Sequence, residues 1–187
     1  TAGKVHGEEV KAYRQEENVA PESSMPTYFA AKVYIDNWRW AEVPFYLRTG
    51  KRLSKRVTEV VIRFRQPPLK LFRDDCTPLD ASQLVLTIQP EEKISFRLGV
   101  KYPESNNLIV PVNMGFKYGD YFDRTYVSPY ERLLRDCLAG DQALFVRQDG
   151  VEASWEFADP FVAWWEECDC LDFYPAGSWG PDSAEKF

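Results

Sequence analysis

Histidine is almost missing from this chain: one residue, His6, in 187. It lies in a polar stretch near the start and reads as a solvent-exposed loop residue, so no Ser-His-Asp arrangement is available. Glycine-rich phosphate signatures are missing as well. No Gly-x-Gly-x-x-Gly precedes a helix and no Walker-type lysine loop occurs, which excludes a nucleotide fold within the chain. The four cysteines, Cys76, Cys137, Cys168 and Cys170, form no Cys-x-x-Cys pair. Cys168 and Cys170 lack the second pair that a zinc quartet needs, so no metal site is expected and reduced thiols are the simplest reading. No apolar run approaches a membrane span and no signal peptide opens the chain, so a cytoplasmic location is expected. A pI near 5.0 and a net charge of -6 argue against nucleic-acid or membrane-surface binding, because both partners are polyanions. None of the 29 carboxylates is placed as an acid/base pair, and no catalytic residue is assigned.

What the chain does have is apolar and aromatic mass, 44% and 15% of residues, enough for an ordered domain. Residues 1–26 are polar or proline- and serine-bearing and read as a lead-in arm, with the core domain at 27–187. Tyr28 to Ile35 and Pro44 to Thr49 read as strands, with a turn at Asp36-Asn37 between them. Thr58 to Phe64 alternates with period two, which predicts a half-buried antiparallel strand. Gln83 to Gln89 and Ile94 to Val100 repeat the pattern around a Pro90-Glu91-Glu92 turn and read as a hairpin. Pro103 to Val112 reads as a loop with extended pieces, and Met114 to Tyr126 fits no single element. Ser128-Pro129-Tyr130-Glu131 is a capping box, and Tyr130, Leu133, Leu134, Cys137 and Leu138 follow as one apolar stripe ending at Gly140. Asp149 opens a second helix, which Pro160 should kink or break. Trp155, Trp164 and Trp165 give that helix an apolar face that reads as core, and the tail from Tyr174 to Pro181 is rich in turns. Strands early and helices late predict an α+β fold, a large and mainly antiparallel sheet with helices packed on one face.

One segment departs from the acidic background. Arg48, Lys51, Arg52, Lys55 and Arg56 place five cations in nine residues. Like charges at that density repel unless an anion lies among them, and Gly50 allows the backbone to turn there. An anion site, most simply for phosphate, is the functional reading, and a solvated basic surface loop is the plain alternative. Lys51 and Arg56 flank the turn; Arg offers a planar fork to phosphate oxygens and Lys a point charge.

These residues also carry a resemblance. Ile35-Asp36-Asn37-Trp38-Arg39-Trp40 and Val43-Pro44-Phe45-Tyr46-Leu47-Arg48-Thr49-Gly50-Lys51-Arg52-Leu53 resemble the C-terminal domain of glucose-6-phosphate dehydrogenase. So do Ile88-Gln89-Pro90, Tyr118-Gly119-Asp120, Tyr130 to Leu134 and Pro175 to Pro181, in family order over nearly the whole chain. The resemblance implies an NADP-dependent dehydrogenase of the oxidative pentose phosphate pathway that converts glucose 6-phosphate to 6-phosphogluconolactone. It implies that NADP is bound by an N-terminal Rossmann domain absent from this chain, and that the general base also lies upstream. It implies that Lys51, Arg56 and Gln89 contact the substrate, that the sheet pairs subunits into a homodimer or tetramer, and that the fragment alone is inactive. Some members hold a second, structural NADP. Here only Arg48 fits one such position, Val57, Val61 and Thr87 stand where cations are expected, Trp179 replaces an arginine, and the chain stops at Phe187 before the aromatic tail. No structural NADP site is therefore expected on this chain. The alternative function is a free-standing, non-catalytic module that binds a sugar phosphate or supports assembly.

Overall fold

The computed structural model describes residues 1–69, 81–104, 108–122, 128–168 and 171–186. The chain divides into two compact units, Thr1–Lys55 with Asp136–Phe187, and Arg56–Arg135. Every strand pair among the described residues is antiparallel and the two long helices come late, so the α+β expectation is met. Pairing divides the strands into a hairpin, a two-stranded sheet and a four-stranded sheet.

In the first unit the polar arm holds structure that its composition did not announce. β1 (Gly3–Val5) and β2 (Glu8–Val10) form a small hairpin. His6 and Gly7 turn it, both at positive φ (52° and 89°), the backbone that a two-residue hairpin loop requires. The turn, not apolar alternation, specifies this element. β3 (Tyr28–Tyr34) then pairs with β4 (Pro44–Gly50), setting Tyr28 opposite Gly50 and Tyr34 opposite Pro44. The bend between them is held by Asn37, whose Oδ1 accepts from the Trp40 amide at 2.9 Å.

A 20-residue helix, labelled α2 (Gln148–Glu167) since a shorter one precedes it, packs on β3. Phe29 meets the rings of Phe161 and Trp165 edge-on at 5.4 and 5.8 Å. Of the kink or break expected at Pro160, the break does not occur, and the helix runs through the proline. Phe157 and Phe161 lie one turn apart across the proline with ring centroids at 5.4 Å, and Phe161 is anchored on Phe29, so side-chain packing holds the segment that lacks a backbone bond. The assignment of the tryptophans to the core needs correction: Trp165 packs, but Trp155 and Trp164 are 61% and 60% exposed. Among the described residues the buried apolar side chains of this unit are instead Tyr174, Ala176 and Ala184, in or just after the turn-rich tail. Reduced thiols are found only in part, since Cys137 is a free exposed thiol and Cys168 is disulfide-bonded.

The second unit is a four-stranded meander, β5 (Thr58–Arg63), β6 (Gln83–Gln89), β7 (Lys93–Lys101) and β8 (Ile109–Lys117), in sequential order. The first three form where the period-two pattern predicts strands. β8 was not expected as one strand, because Pro111, Asn113 and Gly115 interrupt its apolar pattern. It pairs with β7 over its full length, from Lys93 opposite Lys117 to Lys101 opposite Ile109. The expected half-burial of β5 is absent: Val60, Val61 and Ile62 are 47%, 51% and 43% exposed. The helix α1 (Pro129–Ala139) contains the boundary between units. The Arg132 amide bonds to the Ser128 carbonyl, Glu131 pairs with Arg135 at 3.0 Å, and Gly140 (φ 73°) ends the helix as expected. Its apolar stripe forms, but Tyr130, Leu134 and Leu138 face solvent.

Candidate functional site

The basic segment starts where β4 ends. Gly50 serves close approach rather than the turn: a Cβ there would lie 2.8 Å from the Tyr28 ring. The turn itself is made two residues later by Arg52, a non-glycine residue at φ 50°. A left-handed backbone at arginine costs about 1 kcal/mol and persists only where its surroundings fix it. Here they do. The Arg52 carbonyl accepts from the Gly177 amide at 2.8 Å, and its Nε pairs with Glu16 at 2.9 Å. One residue before, the Lys51 amide donates to the Thr27 carbonyl at 2.8 Å and its carbonyl accepts from the Tyr174 hydroxyl, also at 2.8 Å. Further on, the Ser54 amide donates to the Ser178 carbonyl at 3.0 Å.

The five cations therefore separate into two kinds. Arg48 gives its guanidinium to the Ala184 carbonyl at 3.4 Å and Arg52 gives its own to Glu16, so both serve the fold. Lys51, Lys55 and Arg56 are exposed, and among the described residues their side chains make no ion pair. Lys51 also lines a groove of about 1420 Å³ in the first unit, beside Thr27, Tyr28, Arg52 and Tyr174. Burial raises the Tyr28 phenol above its ordinary value, with Arg48 opposing and Tyr174 adding to the shift.

Arg56 and Gln89 belong to the second unit. Gln89 closes β6, paired with Thr58, so it shares one end of the ladder with Arg56 two residues before Thr58. The register shifts between Thr58 and Glu59, a bulge of the sort that re-aims side chains at a sheet end. Gln89 is exposed and joins Pro90 through a cis peptide bond. Among the described residues no group of three His, Cys, Asp or Glu side chains is placed to hold a metal. No described helix is long and apolar enough to cross a membrane.

The sequence model for the glucose-6-phosphate dehydrogenase C-terminal domain matches residues 1–187. The chain belongs to that family. It is 45% identical over 187 residues to the glucose-6-phosphate 1-dehydrogenase of Treponema pallidum, covering 98% of this chain and 36% of the relative. Its fold is similar to the crystal structure of the enzyme from Mycobacterium avium (TM-score 0.78, 32% identity, 99% of this chain and 37% of that one). It is also similar to a glucose-6-phosphate dehydrogenase solved in complex with its substrate glucose-6-phosphate (TM-score 0.83, 31% identity, 98% of this chain and 38% of that one). The chain thus spans a little over a third of the length of these glucose-6-phosphate dehydrogenases.

Tyr174 escaped the sequence reading. A lone tyrosine before Pro-Ala-Gly signals only a turn, because its partners Lys51 and Thr27 lie more than a hundred residues away. Four of the positions that the resemblance associates with a structural dinucleotide in some family members lie as follows. Arg48 is bonded to the Ala184 carbonyl, Val61 and Trp179 are exposed, and the buried Thr87 hydroxyl has no partner among the described residues.

Proposed function

We propose that this chain is the substrate-positioning part of a longer enzyme that oxidises glucose 6-phosphate to 6-phosphogluconolactone with NADP. The observation that carries the reading is the match of the family's C-terminal domain to all 187 residues. The rigid presentation of an uncommitted lysine supports it. Lys51, Arg56 and Gln89 supply hydrogen-bond donors to phosphate and hydroxyl oxygens. Lys51 and Arg56 bring charge-assisted bonds, the stronger kind, and Gln89 a neutral one. NADP, held elsewhere in the longer protein, takes the hydride from the sugar, and a base held elsewhere takes the proton. A second, structural NADP is not part of this reading, for want of cations at Val57, Val61, Thr87 and Trp179. The exposed apolar residues of β5 support pairing of subunits through the four-stranded sheet. The reading also places the enzyme in the cytoplasm.

The test is steady-state kinetics on the full-length protein. Lys51→Ala and Arg56→Ala should each raise KM for glucose 6-phosphate by about tenfold or more, and Gln89→Ala by about threefold to fivefold, with KM for NADP unmoved. Unchanged substrate KM in all three would overturn the assignment.

A further inference from the structure

We propose that Tyr174 is a positioning residue for Lys51, setting the lysine's backbone so that its ammonium group meets the sugar phosphate. The inference rests on the reading of Lys51 given above. Tyr174 is 8% exposed, one of the most buried side chains described, yet its phenol ends in polar company. Three acceptors lie within reach of its oxygen: the Lys51 carbonyl at 2.8 Å, the Thr27 carbonyl at 3.1 Å and Thr27 Oγ1 at 3.4 Å. A phenol has one proton, and the shortest contact assigns it to the Lys51 carbonyl. The Thr27 hydroxyl is then free to donate back to the phenol oxygen.

Both peptide groups of Lys51 are thereby fixed. Its amide is tied to the Thr27 carbonyl, and its carbonyl to a phenol that also abuts Thr27. The next residue, Arg52, sits in a strained left-handed backbone that the Gly177 amide and Glu16 hold in place. Strain stored next to a candidate binding side chain, and fixed from three separate segments, is the pattern of a preorganised site. The tail is itself held: the Ala176 amide donates to the Thr1 carbonyl at 3.2 Å, and the Tyr174 ring lies against Tyr28 with centroids 5.5 Å apart. A Cβ on Gly177 would collide with the Lys4 carbonyl, so the tail passes too close to the arm for any other residue there. Tyr174 thus couples the tail to a cation of the loop whose backbone is fixed and whose head group makes no ion pair among the described residues.

Tyr174→Phe keeps the ring and removes only the proton. In the full-length enzyme we expect KM for glucose 6-phosphate to rise about threefold to tenfold, with the change in KM rather than in kcat and with KM for NADP unmoved. A general loss of folding would scale down active enzyme and leave KM unaltered. Combined with Lys51→Ala, the tyrosine change should add nothing further, because the side chain it positions is gone. Glu16→Gln, a change at a partly exposed ion pair that avoids any risk to folding from the buried site, should raise the same KM by about twofold. If Lys51→Ala leaves KM unchanged, the functional reading falls. If Lys51→Ala raises KM while Tyr174→Phe does not, or the two effects multiply in the double variant, the positioning role is wrong and the binding role stands.

Discussion

At the scale of single residues, Tyr28 shows how closely the loop and tail are fitted. Its ring fills the space that side chains at Gly50 and Gly180 would need, and it leans on Tyr174. Its hydroxyl is buried and has no partner among the described residues. A buried hydroxyl without a partner costs about 1–3 kcal/mol, whereas the ring contacts survive its removal. Tyr28→Phe should therefore leave stability unchanged or raise it by about 1 kcal/mol in denaturant unfolding. The pH dependence has a definite sign. The phenol is pushed upward, chiefly by burial, so the folded state holds its proton more tightly than the unfolded chain. That contribution is complete below the ordinary tyrosine value near 10 and is lost as pH rises through the folded value. Stability of the parent chain should fall between those two values, and Tyr28→Phe should remove that part of the alkaline fall. An unfolding midpoint lowered by the substitution at neutral pH would show that the hydroxyl has a partner after all.

At the scale of elements, α2 raises the question of why a helix tolerates proline at its thirteenth position. Pro160 cannot donate to the carbonyl one turn back, and its ring crowds that carbonyl. The cost against alanine is about 3 kcal/mol in a free helix, less where neighbours absorb it. Phe157, Phe161 and Trp165 absorb it here through their contacts with one another and with Phe29. Pro160→Ala should restore the missing bond and stabilise the chain by about 1–2 kcal/mol, read as a higher Tm. A lower Tm would mean that the helix depends on a bend the proline supplies. The same helix marks where sequence stops being legible. β5, β6, β7 and α1 are specified locally, by period-two alternation in Thr58 to Phe64 or by Ser128 and Glu131 around a proline, and local signals suffice for them. β8 is held by nine pairings to β7, which outweigh the poor propensities of Pro111, Asn113 and Gly115. The cluster at Lys51 was legible because charge repulsion is a local property. The division of that cluster, with Arg48 and Arg52 given to the fold and Lys51 left free, depends on Ala184, Glu16 and Tyr174. No reading confined to the loop can supply those partners.

At the scale of the molecule, much of the apolar surface is open. Val60, Val61 and Ile62 on β5, Leu134 and Leu138 on α1, and Trp155 and Trp164 on α2 all face solvent, and the chain spans a little over a third of its relatives. Under the proposed function, surfaces of this kind meet the remainder of the enzyme or a second subunit. The catalytic consequence follows from counting contacts. Under that same proposal Lys51, Arg56 and Gln89 would contribute about 1–3 kcal/mol each as hydrogen-bond donors, and from that sum the loss of substrate translation and rotation must be subtracted. The remainder corresponds to a Kd of about 1 mM or weaker. The isolated 187-residue chain should therefore show no reduction of NADP with glucose 6-phosphate. Calorimetric titration of the same chain should give weak or undetectable heat with glucose 6-phosphate and none with NADP, since the dinucleotide phosphates would meet aliphatic and hydroxyl side chains at Val57, Val61 and Thr87. Micromolar binding of the sugar phosphate without turnover would instead favour the free-standing module. Tight NADP binding would mean that the committed arginine, Arg48, releases the Ala184 carbonyl to take a phosphate.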